Sequence, residues 1–186
     1  MSAPEFTRDL PRTRDALEFA ADRHAGQRRD VDDAPFVMHP LEVARLLHDA
    51  GYPDHVVAAG VLHDVIEDTD TSPRDLAERF GPEVARLVAA VTEDPSITDR
   101  GERKAALRRQ VADAGPDAAA VFAADKVSKA REMRERASRG RLDPDRDRPR
   151  IEHYEESLER LVELLPGREL VERLRKELEA VQARGV

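Results

Sequence analysis

Apolar residues recur at the three- and four-residue spacing of an amphipathic helix along most of the chain. No segment shows the strict alternation of apolar and polar residues that is typical of a half-buried β-strand. Several helical segments open with Pro and close at Gly, as in HPLEVARLLHDAG at 39–51, which is the usual asymmetry of helix ends. The pattern predicts an all-α fold in a single compact multi-helix domain over residues 1–186.

Three segments carry more specific predictions. The stretch YPDHVVAAGVLHDVIEDT (52–69) is predicted to form one continuous helix. The charged, Pro-containing stretch GRLDPDRDRPR (140–150) is predicted to be a loop. Two C-terminal helices are predicted at about 149–165 and 168–184, separated by a Pro-Gly pair.

The last of these helices has a narrow apolar stripe. Leu170, Leu174, Leu178 and Val181 follow one another at spacings of four, four and three residues. Such a stripe would serve as the contact surface of a homo-oligomer, or it would pack on the helix's own domain. The second interpretation is the more common one for a pattern this short.

Composition narrows the class of protein. Hydrophobic residues make up 40% of the 186 residues, which is enough to build a core. Cys is absent, so disulfides, zinc fingers and thiol nucleophiles are excluded. The N-terminal sequence has no apolar signal region, and no apolar run reaches the roughly 18 residues that a membrane span needs. We therefore expect a soluble, cytoplasmic protein that does not bind a membrane.

The charge balance bears on the kind of partner. The net charge is −8, and the isoelectric point is about 5.3. This acidic balance argues against binding to a nucleic-acid backbone, which requires a basic surface. It leaves open a small phosphorylated ligand held by a local group of basic residues.

The segment AGVLHDVIEDTDT (59–71) places four ionisable residues inside an apolar run. On a continuous helix, His63 would lie over Glu67 and Asp64 over Asp68, which would gather an imidazole and three carboxylates in one patch. A divalent cation would remove the cost of burying them. A mixed nitrogen and oxygen ligand set suits manganese, iron, zinc, nickel or cobalt better than magnesium. The alternative, in which the acids face water, fits their strongly apolar neighbours less well.

Further ligands must come from elsewhere in the chain, because two adjacent residues cannot complete a coordination sphere. His39 stands at a loop-to-helix junction and Asp125 follows the apolar run VFAA, so both are candidates. His24 is expected to be a core histidine with its own hydrogen-bond partner. His48, near a helix end and without an acid pair one turn later, is expected at the surface.

Five short motifs occur in the order found in one family of hydrolases. They are HP at 39–40, LHDVIEDT at 62–69, FG at 80–81, LVAAVTED at 87–94 and ADK at 124–126. In these motifs the chain resembles the HD-type metal phosphohydrolases, and specifically the hydrolase domain of RelA/SpoT-type enzymes and the small alarmone hydrolases. The resemblance covers about residues 16–154 and implies an HD-type helical domain with phosphohydrolase activity.

The resemblance implies roles for six residues of these motifs. Four would hold one metal ion, usually manganese in this family: His39, His63, Asp64 and Asp125. Glu67 and Asp68 match the acid pair that assists the attacking water. The implied reaction removes the 3′-pyrophosphate of guanosine tetra- or pentaphosphate and leaves GDP or GTP, so the expected partner is a small phosphorylated nucleotide.

The resemblance also implies a set of residues that bind the substrate. They are Arg28, Arg29, Arg100, Lys129, Arg150 and Tyr154. Arg150 and Tyr154 are four residues apart, so one helical turn would present both to the same cleft. Arg103 and Lys104 follow Arg100, but we expect them on a solvated face.

Lys129 and the loop at 30–33 depart from the family pattern at substrate positions. Lys129 stands where the family has Asn, so an amide that donates and accepts is replaced by a cation that only donates. The loop at 30–33 gathers Asp30, Asp32 and Asp33, which would repel a polyphosphate if they faced it. A hydrolase of a different phosphorylated nucleotide is therefore a second hypothesis, and a catalytically silent nucleotide-binding regulator is a third. The retained Glu-Asp pair speaks against the third.

Overall fold

The computed structural model describes residues 4–29 and 32–184 and shows a fold built from α-helices. Within these residues, β-pairing is limited to an isolated bridge between Arg28 and Pro35. The prediction of an all-α fold is confirmed. Nowhere in this part of the chain is a helix long and apolar enough to cross a membrane.

The helices follow one another with mostly short connections. After a 3-10 turn at Glu5–Thr7 they are α1 (Pro11–Arg23), α2 (Met38–Asp49), α3 (Asp54–Leu62), α4 (Val65–Asp68), α5 (Pro73–Phe80), α6 (Pro82–Val91), α7 (Arg100–Ala114), α8 (Pro116–Ser138), α9 (Pro144–Leu164) and α10 (Glu169–Gln182). Gly81 and Gly115, each with a positive φ, form the one-residue connections from α5 to α6 and from α7 to α8.

The long helix α8 lies at the centre of the fold and packs against α2, α3, α6, α7, α9 and α10. Its segment 118–128 is buried on all sides. Ala, Val and Phe fill most of this segment, so the chain carries Asp125, Lys126 and Ser128 into the protein interior. Buried charges need partners, and α8 therefore determines where the polar chemistry of the fold is concentrated.

Helices α2 and α3 approach each other closely at Gly60. A Cβ atom at this position would overlap with Cδ1 of Leu47 and would lie 3.3 Å from Cγ1 of Val43. The absence of a side chain therefore permits the contact. It brings His39, in the first turn of α2, next to the end of α3.

The prediction of one continuous helix at 52–69 is wrong. Helix α3 ends one residue before His63, and the single turn α4 begins after Asp64. Nδ1–H of His63 donates to the carbonyl oxygen of Gly60 (2.8 Å), the acceptor that the amide of Asp64 would use in a continuous helix. A side-chain hydrogen bond thus replaces a backbone one, and the helix is interrupted at the His-Asp pair.

The predicted loop at 140–150 is also wrong in its second half, because α9 begins at Pro144. The side chain of Asp143 accepts hydrogen bonds from the amides of Asp145 (3.0 Å) and Arg146 (3.4 Å). Pro at the first helical position adds a backbone angle that already suits a helix. Apart from this earlier start, the two C-terminal helices lie close to their predicted positions.

The apolar stripe of α10 packs inside its own chain. Its residues are between 0 and 3% exposed: Leu170, Leu174, Leu178 and Val181. They lie on a helix that packs against α8 and α9. The stripe is therefore not a free surface for an oligomer, and homo-oligomerisation stays a prediction.

Replacing Gly60 with Ala is expected to lower the free energy of unfolding by about 1–3 kcal/mol, because the added methyl group overpacks the α2–α3 contact. Urea denaturation followed by circular dichroism measures the change. Gly101→Ala is the matched control, since Gly101 lies in the exposed first turn of α7 and its added Cβ meets no core atom, only Oδ1 of the capping Asp99 at 3.3 Å. The control should change the free energy by less than about 0.5 kcal/mol, and equal losses in the two variants would contradict the packing argument.

Candidate active site

Four side chains predicted as metal ligands converge at one point in the interior. His39 lies in the first turn of α2, and Asp125 lies in the middle of α8. His63 and Asp64 lie at the break between α3 and α4. Each is at most 7% exposed. Three separate parts of the chain therefore supply one buried group of side chains, called here the ligand cluster.

The atoms of the ligand cluster lie at the spacing that a metal ion requires. Nε2 of His39 lies 3.2 Å from both Nε2 of His63 and Oδ1 of Asp125. The same nitrogen lies 3.4 Å from Oδ2 of Asp64. Nε2 of His63 lies 3.1 Å from Oδ2 of Asp64 and 3.3 Å from Oδ1 of Asp125. Metal bonds of about 2.0–2.2 Å place neighbouring ligand atoms about 3 Å apart, so the spacing fits one ion.

The outer nitrogen of each histidine is already engaged. Nδ1–H of His63 donates to the Gly60 carbonyl oxygen. Nδ1–H of His39 donates to Oγ of Ser128 (3.0 Å), whose own hydroxyl donates to Oε2 of Glu42 (2.8 Å). Both Nε2 atoms therefore offer their lone pairs to the ligand cluster.

Acceptor atoms outnumber donors inside the ligand cluster. Oδ2 of Asp64 is buried without a hydrogen-bond partner, and Oδ1 of Asp125, also buried, has none within the ligand cluster and pairs only with Nζ of Lys129 (2.9 Å) from outside it. Such oxygen atoms beside two imidazole lone pairs are costly unless a cation lies between them. A subset formed by His39, His63 and Asp125 meets the geometry of a metal-binding group. The residues present therefore fit a divalent cation.

The charges of the ligand cluster shift its pKa values. Burial opposes the charged form of Asp64, but His63 and Lys129 hold the pKa of that carboxyl well below its usual range. Burial is likewise outweighed at Asp125, where Lys126 and Lys129 lower the pKa. Burial also opposes the charged form of His63, yet the two carboxylates raise its pKa to about 10, so a proton on Nε2 competes with a metal ion for that lone pair. Both aspartates therefore stay ionised and require positive charge beside them.

Glu67 and Asp68 lie in α4, on the exposed side of the ligand cluster. The amide of Glu93 donates to Oε1 of Glu67 (2.5 Å), which fixes that carboxylate. Partial burial raises the pKa of both carboxyls, and the charge of Asp64 adds to the effect. Both are therefore stronger proton acceptors than carboxylates in open water.

A cleft of about 700 Å³ opens beside the ligand cluster and is strongly basic. Ten of its lining residues carry positive charge: Arg28, Arg29, Arg100, Arg103, Lys104, Lys126, Lys129, Arg136, Arg146 and Arg150. Two acidic residues, Glu132 and Asp145, complete the charged lining among the described residues. A chain with a net charge of −8 thus concentrates positive charge in one place, which suits a polyphosphate.

All the residues predicted to bind substrate line this cleft. They come from the loop after α1, from α7, from α8 and from α9: Arg28, Arg29, Arg100, Lys129, Arg150 and Tyr154. A smaller cavity of about 90 Å³ is lined by members of the ligand cluster and by Glu67. Lys104, Lys126 and Lys129 line both spaces, so the cleft and the ligand cluster adjoin.

Arg103 and Lys104 do not lie on a solvated face, contrary to our expectation. Both line the cleft, and their side chains are 26% and 23% exposed. Nε of Arg103 donates to Oε2 of Glu93 (2.7 Å), and Nζ of Lys104 donates to Oε1 of the same carboxylate. The spacing on α7 did not reveal this, because the carboxylate that holds them comes from the connection after α6.

Lys126 is a site residue that the sequence reasoning missed. Its Nζ lies 2.6 Å from Oδ2 of Asp125 and 4.3 Å from the centre of the Phe122 ring. Its place in a buried run, directly after Asp125, was a usable signal, because a buried lysine needs an anion beside it.

A polar chain connects the ligand cluster to the C-terminal helix. Beyond the hydrogen bond to Ser128, Glu42 also accepts from Nη1 of Arg131 (3.1 Å). Nε of Arg131 donates in turn to Oε1 of Glu177 on α10 (3.0 Å). These contacts support the orientation of His39. No sequence signal pointed to them, since the pairs lie 89 and 46 residues apart.

Lys129 points at the ligand cluster as well as lining the cleft. Its Nζ lies 2.9 Å from Oδ1 of Asp125 and 3.8 Å from Oδ1 of Asp64, and its side chain is 35% exposed. The place of the family's amide is thus taken by a cation that pairs with two expected metal ligands.

The described acids of the loop at 30–33 pair with its arginines. Oδ1 of Asp33 lies 2.9 Å from Nε of Arg28, and Oδ1 of Asp32 lies 3.4 Å from Nε of Arg29. Neither acid lines the cleft. Asp30 lies outside the described residues.

Two further histidines stay outside the ligand cluster, as expected. His24 is 3% exposed, and its Nδ1 lies 2.7 Å from Oε1 of Gln27. The side chain of His48 is 39% exposed and lies beside Asp49. The first is a core histidine and the second lies at the surface.

Comparison with known proteins agrees with this geometry. A family model described as HD domain matches residues 16–146. Over 122 residues the chain is 42% identical to the guanosine-3′,5′-bis(diphosphate) 3′-pyrophosphohydrolase MESH1 of Mus musculus and of Homo sapiens, which covers 64% of this chain and 68% of each relative. It is 36% identical over 108 residues to the guanosine-3′,5′-bis(diphosphate) 3′-pyrophosphohydrolase of Aquifex aeolicus, covering 58% of this chain and 15% of that protein.

Solved structures show the same architecture. A metazoan ortholog of SpoT that hydrolyzes ppGpp matches with a TM-score of 0.77 at 28% identity, over 94% of this chain and 96% of that chain. The protein lmo0812 of Listeria monocytogenes matches with a TM-score of 0.67 at 30% identity, over 76% of this chain and 91% of that chain. With its buried His and Asp cluster, its helical fold and these relatives, the chain belongs to the HD domain family.

Proposed function

We propose that this protein is a metal-dependent pyrophosphohydrolase that removes the 3′-pyrophosphate of guanosine tetra- or pentaphosphate. The observation that carries the proposal is a buried set of side chains that fits a divalent cation and opens onto a basic cleft. The relatives named as guanosine-3′,5′-bis(diphosphate) 3′-pyrophosphohydrolases support the same substrate. A cytoplasmic location, in keeping with a chain that has no Cys, is part of the proposal.

The proposed cofactor is one manganese ion. It would be held by His39, His63, Asp64 and Asp125. Two imidazole nitrogens and two carboxylate oxygens form a mixed ligand set that manganese accepts. When bound, the metal supplies Lewis acidity, which lowers the pKa of a coordinated water and polarises a phosphoryl oxygen. The hydrogen bonds at both Nδ1 atoms keep the imidazoles in the tautomer that presents Nε2.

We assign Glu67 and Asp68 to the attacking water. Their carboxylates lie on the open side of the ligand cluster, and their raised pKa values suit the acceptance of a proton. Water attacks the phosphorus that is bound to the ribose 3′-oxygen. The bond between this phosphorus and the 3′-oxygen breaks. The 3′-oxygen leaves with a proton, and the products are pyrophosphate and GDP, or GTP from the pentaphosphate.

The basic residues of the cleft would neutralise the 3′-diphosphate and the 5′-polyphosphate of the substrate. Lys104 and Lys126 line both the cleft and the smaller cavity, so they lie near the reacting diphosphate. We assign the rest of the nucleotide to the residues farther along the cleft: Arg28, Arg29, Arg100, Arg150 and Tyr154.

A second candidate, hydrolysis of a different phosphorylated nucleotide, is favoured by one observation. No Asn or Gln side chain lines the cleft in the described part of the chain. Amides read base edges because they both donate and accept, so this cleft recognises phosphates more strongly than bases. A catalytically silent regulator is less well supported, because Glu67 lines the small cavity with members of the ligand cluster and Asp68 follows it in α4.

Turnover assays with added Mn²⁺ test the proposed function. The protein is incubated with guanosine tetraphosphate and, in parallel, with nucleotides that differ in base and in the position of their phosphates. Anion-exchange chromatography should show equal amounts of GDP and pyrophosphate from the tetraphosphate. Hydrolysis confined to another nucleotide would establish the second candidate, whereas binding without any product would establish the silent regulator.

His63→Ala is expected to abolish binding of Mn²⁺, because it removes a nitrogen ligand from the centre of the ligand cluster. Metal analysis by mass spectrometry after dialysis measures the occupancy. His48→Ala is the control and should retain the metal, since His48 lies at the surface. Full occupancy in His63→Ala would show that the ion binds elsewhere.

Asp68→Asn is expected to retain Mn²⁺ and to lose about 10²–10⁴-fold in kcat, because it removes a proton acceptor that is not a proposed metal ligand. Steady-state kinetics and metal analysis on the same sample separate the two effects. Asp70→Asn is the matched control, since the exposed Asp70 pairs with Arg23 and should leave kcat unchanged. An unchanged kcat in Asp68→Asn would remove Asp68 from the mechanism.

A further inference from the structure

Lys129 shares the carboxylate oxygen that faces the proposed metal site. Its Nζ lies 2.9 Å from Oδ1 of Asp125. The same Oδ1 lies 3.2 Å from Nε2 of His39 and 3.3 Å from Nε2 of His63. Lys126 contacts the other oxygen of Asp125, with Nζ 2.6 Å from Oδ2. Of these two lysines, Lys129 is therefore the one at the ligand oxygen.

An ammonium group and a divalent cation at one oxygen atom repel each other. Both would lie within about 3 Å of Oδ1 of Asp125, in an interior that water and salt screen poorly. Nζ of Lys129 also lies 3.8 Å from Oδ1 of Asp64, the second acidic ligand. The positions of the ammonium and of the metal are therefore in competition.

The side chain of Lys129 has a place to move to. It is 35% exposed, whereas the Asp125 side chain that it contacts is 6% exposed. It lines both the small cavity at the ligand cluster and the basic cleft. Rotation about its flexible four-carbon stem carries the ammonium from one space to the other without a change in the backbone of α8.

We propose that Lys129 is a built-in counter-ion, which neutralises the ligand carboxylates before the metal binds and is displaced by the metal into the cleft, where it binds a substrate phosphate. The inference rests on the metal centre of the proposed function. It adds that the Lys129 ammonium and the metal compete for Oδ1 of Asp125. Metal affinity is then weaker than the ligand set alone would give. Once the metal has displaced it from Asp125, the Lys129 ammonium is free to bind a substrate phosphate. The metal and the phosphate therefore each strengthen the binding of the other.

Titration of the metal-free 186-residue chain with Mn²⁺ alone tests the competition. Calorimetry, with electron paramagnetic resonance to count free Mn²⁺, gives the Kd. Lys129→Met keeps most of the length of the side chain without its charge and should bind Mn²⁺ at least about tenfold more tightly. Lys129→Arg keeps the charge and should bind as weakly as the wild type. Arg100→Met is the matched control: it removes one charge from an exposed position on the same cleft and should change Kd by less than about threefold.

Thermal unfolding with and without Mn²⁺ supplies a second readout. Loss of the counter-ion should lower the Tm of metal-free Lys129→Met, and Mn²⁺ should restore it, whereas a packing defect would lower Tm in both states.

A Kd for Lys129→Met equal to that of the wild type or of Arg100→Met would overturn the inference. Tighter binding without turnover of any nucleotide would support the counter-ion and reject the proposed function. Failure of the wild type to bind Mn²⁺ would reject both.

Discussion

The burial of two aspartates and two histidines at one point is the constraint on which the rest of the structure depends. Asp125 reaches that point because an apolar segment of α8 carries it into the interior. His39 and His63 reach it because α2 and α3 touch over Gly60, whose carbonyl also orients one of the two imidazoles. Charges so far from water require partners at close range, and Lys126 and Lys129 supply them.

Much of this arrangement could be predicted from the sequence because it is encoded locally. Helical spacing and the Pro and Gly signals at helix ends were sufficient for the all-α fold. The ligand positions stood out because ionisable residues interrupt apolar runs, as Asp125 does after VFAA. Motif order then directed attention to His39 and to the basic residues that the structure brings into one cleft.

The remainder depends on contacts between residues that are distant in sequence. The helix break at His63 follows from a side-chain hydrogen bond that helical periodicity does not represent. The early start of α9 depends on the cap formed by Asp143, which the high charge of the segment obscured. Arg103 was misplaced because Glu93, which holds it, lies outside its own helix. The chain of hydrogen bonds that orients His39 extends to Glu177 on α10, which lies outside the matched motifs in the sequence.

The basic lining of the cleft also makes the distribution of charge over the molecule uneven. The whole chain carries a net charge of −8 although ten basic and two acidic residues line the cleft, so the remaining residues are more acidic than the average suggests. A lining of this kind favours the approach of small anions to the cleft, although acids beside it, such as Glu93 and Asp147, offset part of its charge. Such steering speeds encounter with a scarce polyanion and fades as salt shortens the screening length, which is about 8 Å at physiological ionic strength.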